Sequence, residues 1–383
     1  MIPYSTQWID KEDIEAVIQV LRSDRITQGP CIEEFERAVA EYAGARFAVA
    51  FSSGTAALHA ACAAAGVGPG DEVITSPLTF VASANCAVYL GATPVFADVD
   101  QESLTLNWRE ATQKVTPRTK VLIPVDFGGR PCDLDQIKAL AARHGLVVIE
   151  DAAHALGAEY RGHRVGGLAD MTILSFHPVK HITTGEGGMI LTNDQSLRDK
   201  LRLFRSHGIV RDSSKLTKPD EGDWYYEMQE LGFNYRITDI QCALGLAQLR
   251  RLELFVKRRR EIAARYTEAF SSLPGLVLPT EPPWTRSSFH LYVIQLPIEH
   301  LKGGRRAVFD ALIARKLGVN VHYIPVHLQP YYQRRWGYRS GDFPVAEQYY
   351  ERAITIPLYP RMTDEDVRYV IVSVREVIAE HRV

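Results

Sequence analysis

The sequence predicts an α/β fold, with a large domain on a mostly parallel seven-stranded sheet covered on both faces by helices and a smaller α+β domain after it. Three observations predict it. From about Phe47 short apolar runs alternate with helical stretches or turns. The runs are apolar in the way of strands buried on both faces. A chain of 383 residues can also bury a large core and still divide in two.

The elements follow in chain order. An N-terminal arm leads to a helix after Asp10, with Ile14, Val17, Ile18 and Leu21 at helical spacing. The strand runs are Phe47–Phe51, Val73–Thr75, Pro94–Phe96, Val121–Val125, Leu146–Ile149, Met171–Leu174 and Met189–Leu191. Residues 208–233 break the alternation. They are polar, carry Trp224, Tyr225 and Tyr226, and read as a long functional loop. Helical periodicity resumes at Ile237 and runs to Leu273, and its basic stretch Arg250–Arg260 reads as a solvated face. Strands are then expected near Phe289–Leu296 and Val319–Ile324, and a closing helix near Glu365–Glu380. The expected division is an arm and helix (1–25), a large domain (26–236), a linking long helix (237–273) and a small domain (274–383).

Composition excludes several classes of function. At 46% hydrophobic and 23% charged residues the chain is an ordinary globular protein. A net charge of −2 gives no electrostatic case for nucleic acid or an anionic membrane as partner. Met1–Gln7 lacks a basic segment followed by an apolar one, so no secretory leader is expected. The Ala-rich run Ala56–Val67 is broken by His59 and too short to span a bilayer. Cys31, Cys62, Cys86, Cys132 and Cys242 form no CxxC pair, so neither a metal site nor a disulfide framework is expected. The expected location is the cytoplasm.

Lys180 lies in the run Ser175–Gly188, SFHPVKHITTGEGG, and Asp151 in the run Val147–His154, VVIEDAAH. Each follows an apolar run, which puts an amine and a carboxylate at the carboxyl ends of two strands. Pyridoxal phosphate chemistry needs that pair. The lysine holds the cofactor as a Schiff base, and the carboxylate keeps the pyridine nitrogen protonated so that the ring draws off electrons. Alone, Lys180 is an edge lysine and Asp151 a strand-end cap. The glycines after Lys180 permit close turns around a ligand, and Ser175 can donate to a phosphate. His154 can face the phenolic oxygen of the ring. Ser52–Ala56, which includes Gly54 and Thr55, opens an Ala-rich helix whose free N–H groups suit a phosphate dianion, although the same residues also make a plain N-cap. Phe80, after a further strand, can stack on the ring or simply sit in the core.

Together these residues make the chain resemble fold-type I pyridoxal phosphate enzymes, and among them the DegT/DnrJ/EryC1/StrS sugar aminotransferases. The resemblance covers nearly the whole length. It implies phosphate binding by Gly54, Thr55 and Ser175, ring stacking by Phe80, ring contacts by Asp151 and His154, and cofactor attachment at Lys180. The run Gly232–Arg236, GFNYR, is similar to a motif whose asparagine, here Asn234, reaches the cofactor phosphate of a neighbouring subunit. A homodimer with shared active sites is therefore implied, with Arg236 facing the carboxylate of the amino donor. The runs Ile26–Pro30, Asp151–Gly157, Ile182–Gly188, Leu203–Gly208 and Val321–Pro325 are similar to those of the transaminases of pseudaminic acid biosynthesis. That implies L-glutamate as donor, pyridoxamine phosphate as the alternate cofactor form, and a UDP-linked 2-acetamido-dideoxy-4-keto-hexose as acceptor. Thr27, Gly29, Arg236, His322, Tyr323 and His327 are the candidate substrate contacts. Three rivals stand beside this reading. They are another pyridoxal phosphate enzyme on the same scaffold, a non-enzymatic regulator, and a Rossmann enzyme, for which no GxGxxG follows the first strand.

Overall fold

The seven apolar runs form the seven strands of one sheet: β1 (Phe47–Phe51), β2 (Glu72–Thr75), β3 (Thr93–Phe96), β4 (Thr119–Ile123), β5 (Val147–Asp151), β6 (Met171–Ser175) and β7 (Gly188–Thr192). Their spatial order is β1-β7-β6-β5-β4-β2-β3. The structure, a computed structural model, describes every residue from Met1 to Val383. Strands β2 through β6 pair in parallel, whereas β7 is antiparallel to both β6 and β1. Connection 176–187 contains no helix, so it cannot make the crossover that a parallel pair requires. The reversal has a consequence for the site. The carboxyl ends of β1, β5 and β6 and the start of β7 meet at one edge, where Phe51 and Ser175 both pair with Gly188.

Helices cover both faces. On one, Phe35 and Val39 of helix Pro30–Ala43 pack with Leu174, Phe176, Leu252 and Phe255. On the other, Leu58 of helix Gly54–Ala64 and Cys86 of helix Ala82–Tyr89 pack with Val49, Phe51 and Ile173. The N-terminal helix spans Lys11–Leu21 and is opened by a capping box between Asp10 and Asp13. Residues 208–233 are mostly irregular, with one short ribbon pairing Ile209–Val210 with Glu227–Met228.

Residues 237–273, expected as one helix, hold two, Asp239–Leu249 and Leu252–Phe270. The break falls at Arg251, whose guanidinium turns aside to pair with Asp10 and Asp13. The basic stretch is a solvated face only in part, at exposed Arg250 and Lys257. Arg258 pairs with Asp364, Arg260 donates to the carbonyls of Ser287 and Gly157, and Arg259 is buried at 1% exposure. Charge periodicity reports where cations lie along a helix, and tertiary packing decides whether they meet solvent.

The C-terminal part pairs β8 (Tyr292–Gln295) with β9 (Ala353–Ile356) in antiparallel fashion, under helices Gly304–Ala314 and Asp364–His381. The strand expected at Val319–Ile324 does not form. Only Asn320 bridges Thr355, and the chain then turns, with Pro325 offering no N–H to a ladder. The N-terminal arm crosses between the two parts. Ile2 exchanges bonds with Lys316 and Gly318, Tyr4 accepts from Leu358 N–H, and Ser5 Oγ donates to the carbonyl of Val179.

Candidate active site

A cleft of about 570 Å³ opens at the carboxyl edge of β1, β5 and β6. Ligands of open α/β sheets bind at this position, because the strand ends and the helix N-termini that follow them face the same space. Gly54, Thr55, Phe80, Asp151, His154, Ser175, Lys180, His322 and Tyr323 all line it.

Asp151, the last residue of β5, is 5% exposed. Its Oδ2 accepts from Ser83 Oγ at 2.6 Å and its Oδ1 from Ala153 N–H at 3.2 Å. Burial pushes its carboxyl above the usual range, while Ser83, Ala153 N–H and the Lys180 amine pull it back. Lys180 follows β6 in a tight turn, its N–H donating to the carbonyl of His177. Crowding by protein atoms pushes its amine down to about 8, opposed by Asp151 and assisted by Arg259.

Four imidazoles stand around this pair, and burial keeps all of them neutral. His154, His181 and His290 are pushed well below their ordinary value and His322 to about 4. The rings of His154 and His290 lie 4.3 Å apart. His154 Nδ1 accepts from Gly128 N–H, and its Nε2 bonds the Tyr323 hydroxyl at 3.1 Å. His322 Nδ1 bonds Thr355 Oγ1 at 2.8 Å. Phe80 is 56% exposed at the rim, 6.3 Å from the ring of Tyr323.

The remaining candidates lie elsewhere. Gly29 and Arg236 line a second hollow of about 450 Å³ with Arg25, Gln28, Arg202 and Arg205. Thr27 and Asn234 are exposed and line neither space. His327, expected at the substrate, is instead fully buried. Its Nε2 meets Glu347 Oε1 at 2.9 Å and its ring packs 4.7 Å from Phe343, so it has no path to the cleft. Sequence reasoning passed over Ser83, His290 and Tyr4, all of which line the cleft. Ser83 follows Phe80 in the same turn and was the one within reach of a local argument. His290 and Tyr4 arrive from distant segments with no motif.

The cleft is shaped for a phosphorylated ring. Ser53 caps helix Gly54–Ala64 by accepting from Ala56 N–H, and the amides of its first turn have no intrahelical acceptor. A Cβ on Gly54 would stand 3.2 Å from Ser175 Cβ and 3.3 Å from its Oγ, inside the cradle between the helix and that hydroxyl. A Cβ on Gly188 would come within 2.4 Å of the carbonyl oxygen of Ser53, so glycine there lets the helix N-terminus sit against β7.

Comparison with known proteins agrees with this geometry. Residues 7–375 match the DegT/DnrJ/EryC1/StrS aminotransferase family. The chain is 46% identical to the spore coat polysaccharide biosynthesis protein SpsC of Bacillus subtilis over 378 residues, covering 98% of this chain and 97% of that one. Its structure is similar to Helicobacter pylori PseC, an aminotransferase of pseudaminic acid biosynthesis, with a TM-score of 0.92, 32% identity and 99% of each chain covered. It is also similar to the putative sugar aminotransferase Spr1654 of Streptococcus pneumoniae, solved in pyridoxal and pyridoxamine phosphate forms. For the pyridoxamine form the TM-score is 0.93 at 31% identity, over 99% of this chain and 100% of that one. The chain therefore belongs to the DegT/DnrJ/EryC1/StrS aminotransferases, has the fold-type I architecture, is a sugar aminotransferase, and uses pyridoxal 5′-phosphate. No helix is long and apolar enough to cross a membrane.

Proposed function

We propose that this enzyme moves the amino group of L-glutamate to the C4 ketone of a UDP-linked 2-acetamido-dideoxy-hexose. The observation that carries the catalytic part is the meeting of Lys180 and Asp151 in one cleft beside the N-terminus of helix Gly54–Ala64. Pyridoxal phosphate supplies an electrophilic carbon for amines and a ring that withdraws electrons from the neighbouring C–H bond.

The protein supplies orientation, charge and a proton carrier. Gly54, Thr55 and Ser175 hold the phosphate through amides and a hydroxyl. Asp151 keeps a proton on the ring nitrogen, and Ser83 and Ala153 N–H hold its carboxylate in place for that task. Phe80 would cover one face of the ring, and His154 would stand by its phenolic oxygen. Lys180 anchors the cofactor between turnovers. Once freed, with its amine pushed down to about 8, it takes the proton from the α-carbon of glutamate and returns it on the other side of the transfer. His322 and Tyr323 line the same cleft and would face the sugar.

Asn234 and Arg236 stand away from this cleft, which supports a homodimer in which a second copy delivers them to the phosphate and to the donor carboxylate. The UDP-linked acetamido sugar is supported by the likeness to PseC. A second reading, transfer to another nucleotide-linked 4-keto or 3-keto sugar, is favoured by the higher identity to SpsC, a spore coat polysaccharide protein. One experiment tests both. The enzyme is converted to its pyridoxamine form with glutamate and then offered nucleotide keto sugars one at a time. Fastest return of the pyridoxal absorbance with the UDP-linked 2-acetamido sugar is expected. Faster return with a dTDP-linked sugar lacking the acetamido group overturns the first reading in favour of the second.

A further inference from the structure

Helix Leu252–Phe270 carries a fully buried cation, Arg259, that no part of the proposed mechanism uses. Arg259 is 1% exposed and forms no ion pair. Its Nη1 donates to the carbonyls of Phe289 and His290 at 3.3 Å and of Leu358 at 3.0 Å, and its Nε has no partner. Burying a guanidinium without a carboxylate costs several kcal/mol. A neutral donor could tie the same carbonyls together without that penalty, so the charge itself calls for a reason.

Its neighbours supply one. Arg259, Lys180 and His181 line a common hollow of about 10 Å³, which has room for at most one water. Little screens one charge from the other there. We infer that Arg259 is a positioning residue for Lys180, a counter-ion-free guanidinium buried at the same hollow, which biases the amine toward the neutral form able to take a proton.

The other groups around Lys180 leave this role open. Asp151, from β5, is the one buried carboxylate in the cleft. His154 after β5, His181 on the lysine's own turn, His290 before β8 and His322 after Asn320 are all held neutral by burial. The phenols of Tyr4 and Tyr323 are pushed up and keep their protons. His177 and Glu186 stand in solvent at the rim. When Asp151 is committed to the ring nitrogen, the guanidinium is the remaining buried charge acting on the amine. The direction of its effect agrees. The amine is lowered to about 8 by burial first, with Arg259 adding to the fall and Asp151 opposing it, while Arg259 itself, lowered by burial to about 9, stays charged at neutral pH.

This inference rests on Lys180 being the proton carrier, and the test separates the two ideas. Borohydride reduction of the pyridoxal form, followed by peptide mapping, reports whether the cofactor is attached at Lys180. Its attachment elsewhere fails the functional reading. The positioning role is read in the pyridoxamine form by the pH dependence of acetylation at Lys180, measured by mass spectrometry against exposed Lys114 as internal standard. Lys180 should titrate near 8. Arg259→Gln keeps a donor for the carbonyls but loses the charge, and the Lys180 midpoint should move up by at least about 0.5 unit. Arg259→Lys keeps the charge, and the midpoint should stay with the wild type. A wild-type Lys180 midpoint at the ordinary lysine value of about 10.4 overturns the inference. So does an unmoved midpoint in folded Arg259→Gln, which would make Arg259 a structural tie. If Arg259→Gln does not fold, Arg259→Met, neutral and of similar length, decides: an upward shift of the Lys180 midpoint sustains the inference and an unmoved midpoint overturns it.

Discussion

Replacing Asp151 by asparagine separates charge from shape in the proposed site. The two side chains are nearly isosteric, and Asn Oδ1 can still accept from Ala153 N–H. What disappears is a formal charge on a group that is 5% exposed. A pair of opposite charges about 4 Å apart at an effective dielectric of about 20 is worth roughly 4 kcal/mol. A neutral hydrogen bond kept by Asn recovers about 1 kcal/mol of it. The remaining ~3 kcal/mol corresponds to about a hundredfold loss in rate. Single-turnover conversion of the pyridoxal form by glutamate, followed by absorbance, measures it. Cofactor-free protein should respond in the opposite sense. Burial raises the Asp151 carboxyl above its unfolded value, so its ionisation destabilises the fold as pH rises above the ordinary carboxylate range. Asp151→Asn removes that ionisation, so the variant should melt higher than wild type at pH 7 and should lose this advantage at a pH below the unfolded value of about 3.9. A variant within threefold of wild-type rate refutes the assigned role and leaves Asp151 as a strand-end cap.

Further outcomes follow from the same geometry. Lys180→Ala should retain bound cofactor yet show no detectable turnover with glutamate, and residual turnover above a thousandth of wild type would show that another base moves the proton. Gly54→Ala places a Cβ 3.2 Å from Ser175, inside the phosphate cradle. Cofactor affinity should fall about tenfold, roughly 1.4 kcal/mol, while the melting temperature of cofactor-free protein changes little; equal loss in both would point to misfolding rather than a filled cradle. Mixing Lys180→Ala with Asn234→Asp subunits should restore part of the activity, since one site of a hybrid dimer carries neither lesion, and inactive hybrids of demonstrated composition would exclude shared sites.

The large domain was legible because its strands are buried on both faces and read as uninterrupted apolar runs, so all seven could be located before their pairing was known. The reversal of β7 was hidden in a connection whose only signal was its lack of a helix. The cleft residues from the large domain were legible for a related reason. Strand ends put Asp151, Ser175 and Lys180 at one edge, and local turn chemistry marked Gly54. Residues from the small domain were harder. Val319–Ile324 has the composition of a strand, yet Pro325 and the bond from His322 to Thr355 take it out of the ladder and into the cleft wall. His327 sits in the same stretch, and its partner Glu347 comes from helix Pro344–Arg352, which no local pattern connects to it. Arg259 was misread for the same reason, because the carbonyls that hold it come from segments 289–290 and 358.

The electrostatics of the cleft bear on where the anionic parts of the substrates are met. Near the amine only Asp151 and Arg259 carry buried charge, and Arg259 is spent on three carbonyls. The imidazoles are neutral, so none of them compensates a carboxylate or a diphosphate. The second hollow has what the first lacks. Of its four arginines, Arg202 and Arg205 pair with Glu33 and Glu36, while Arg25 and Arg236 form no ion pair within the chain. The proposed donor, with two carboxylates, and the proposed acceptor, with a diphosphate, would be met by such free cations, and one copy of the chain holds them in a space separate from its own lysine. Two copies arranged so that the arginine hollow of one faces the cleft of the other would supply both halves of the chemistry. The exposed Asn234, two residues before Arg236, would then arrive at the phosphate cradle along with it.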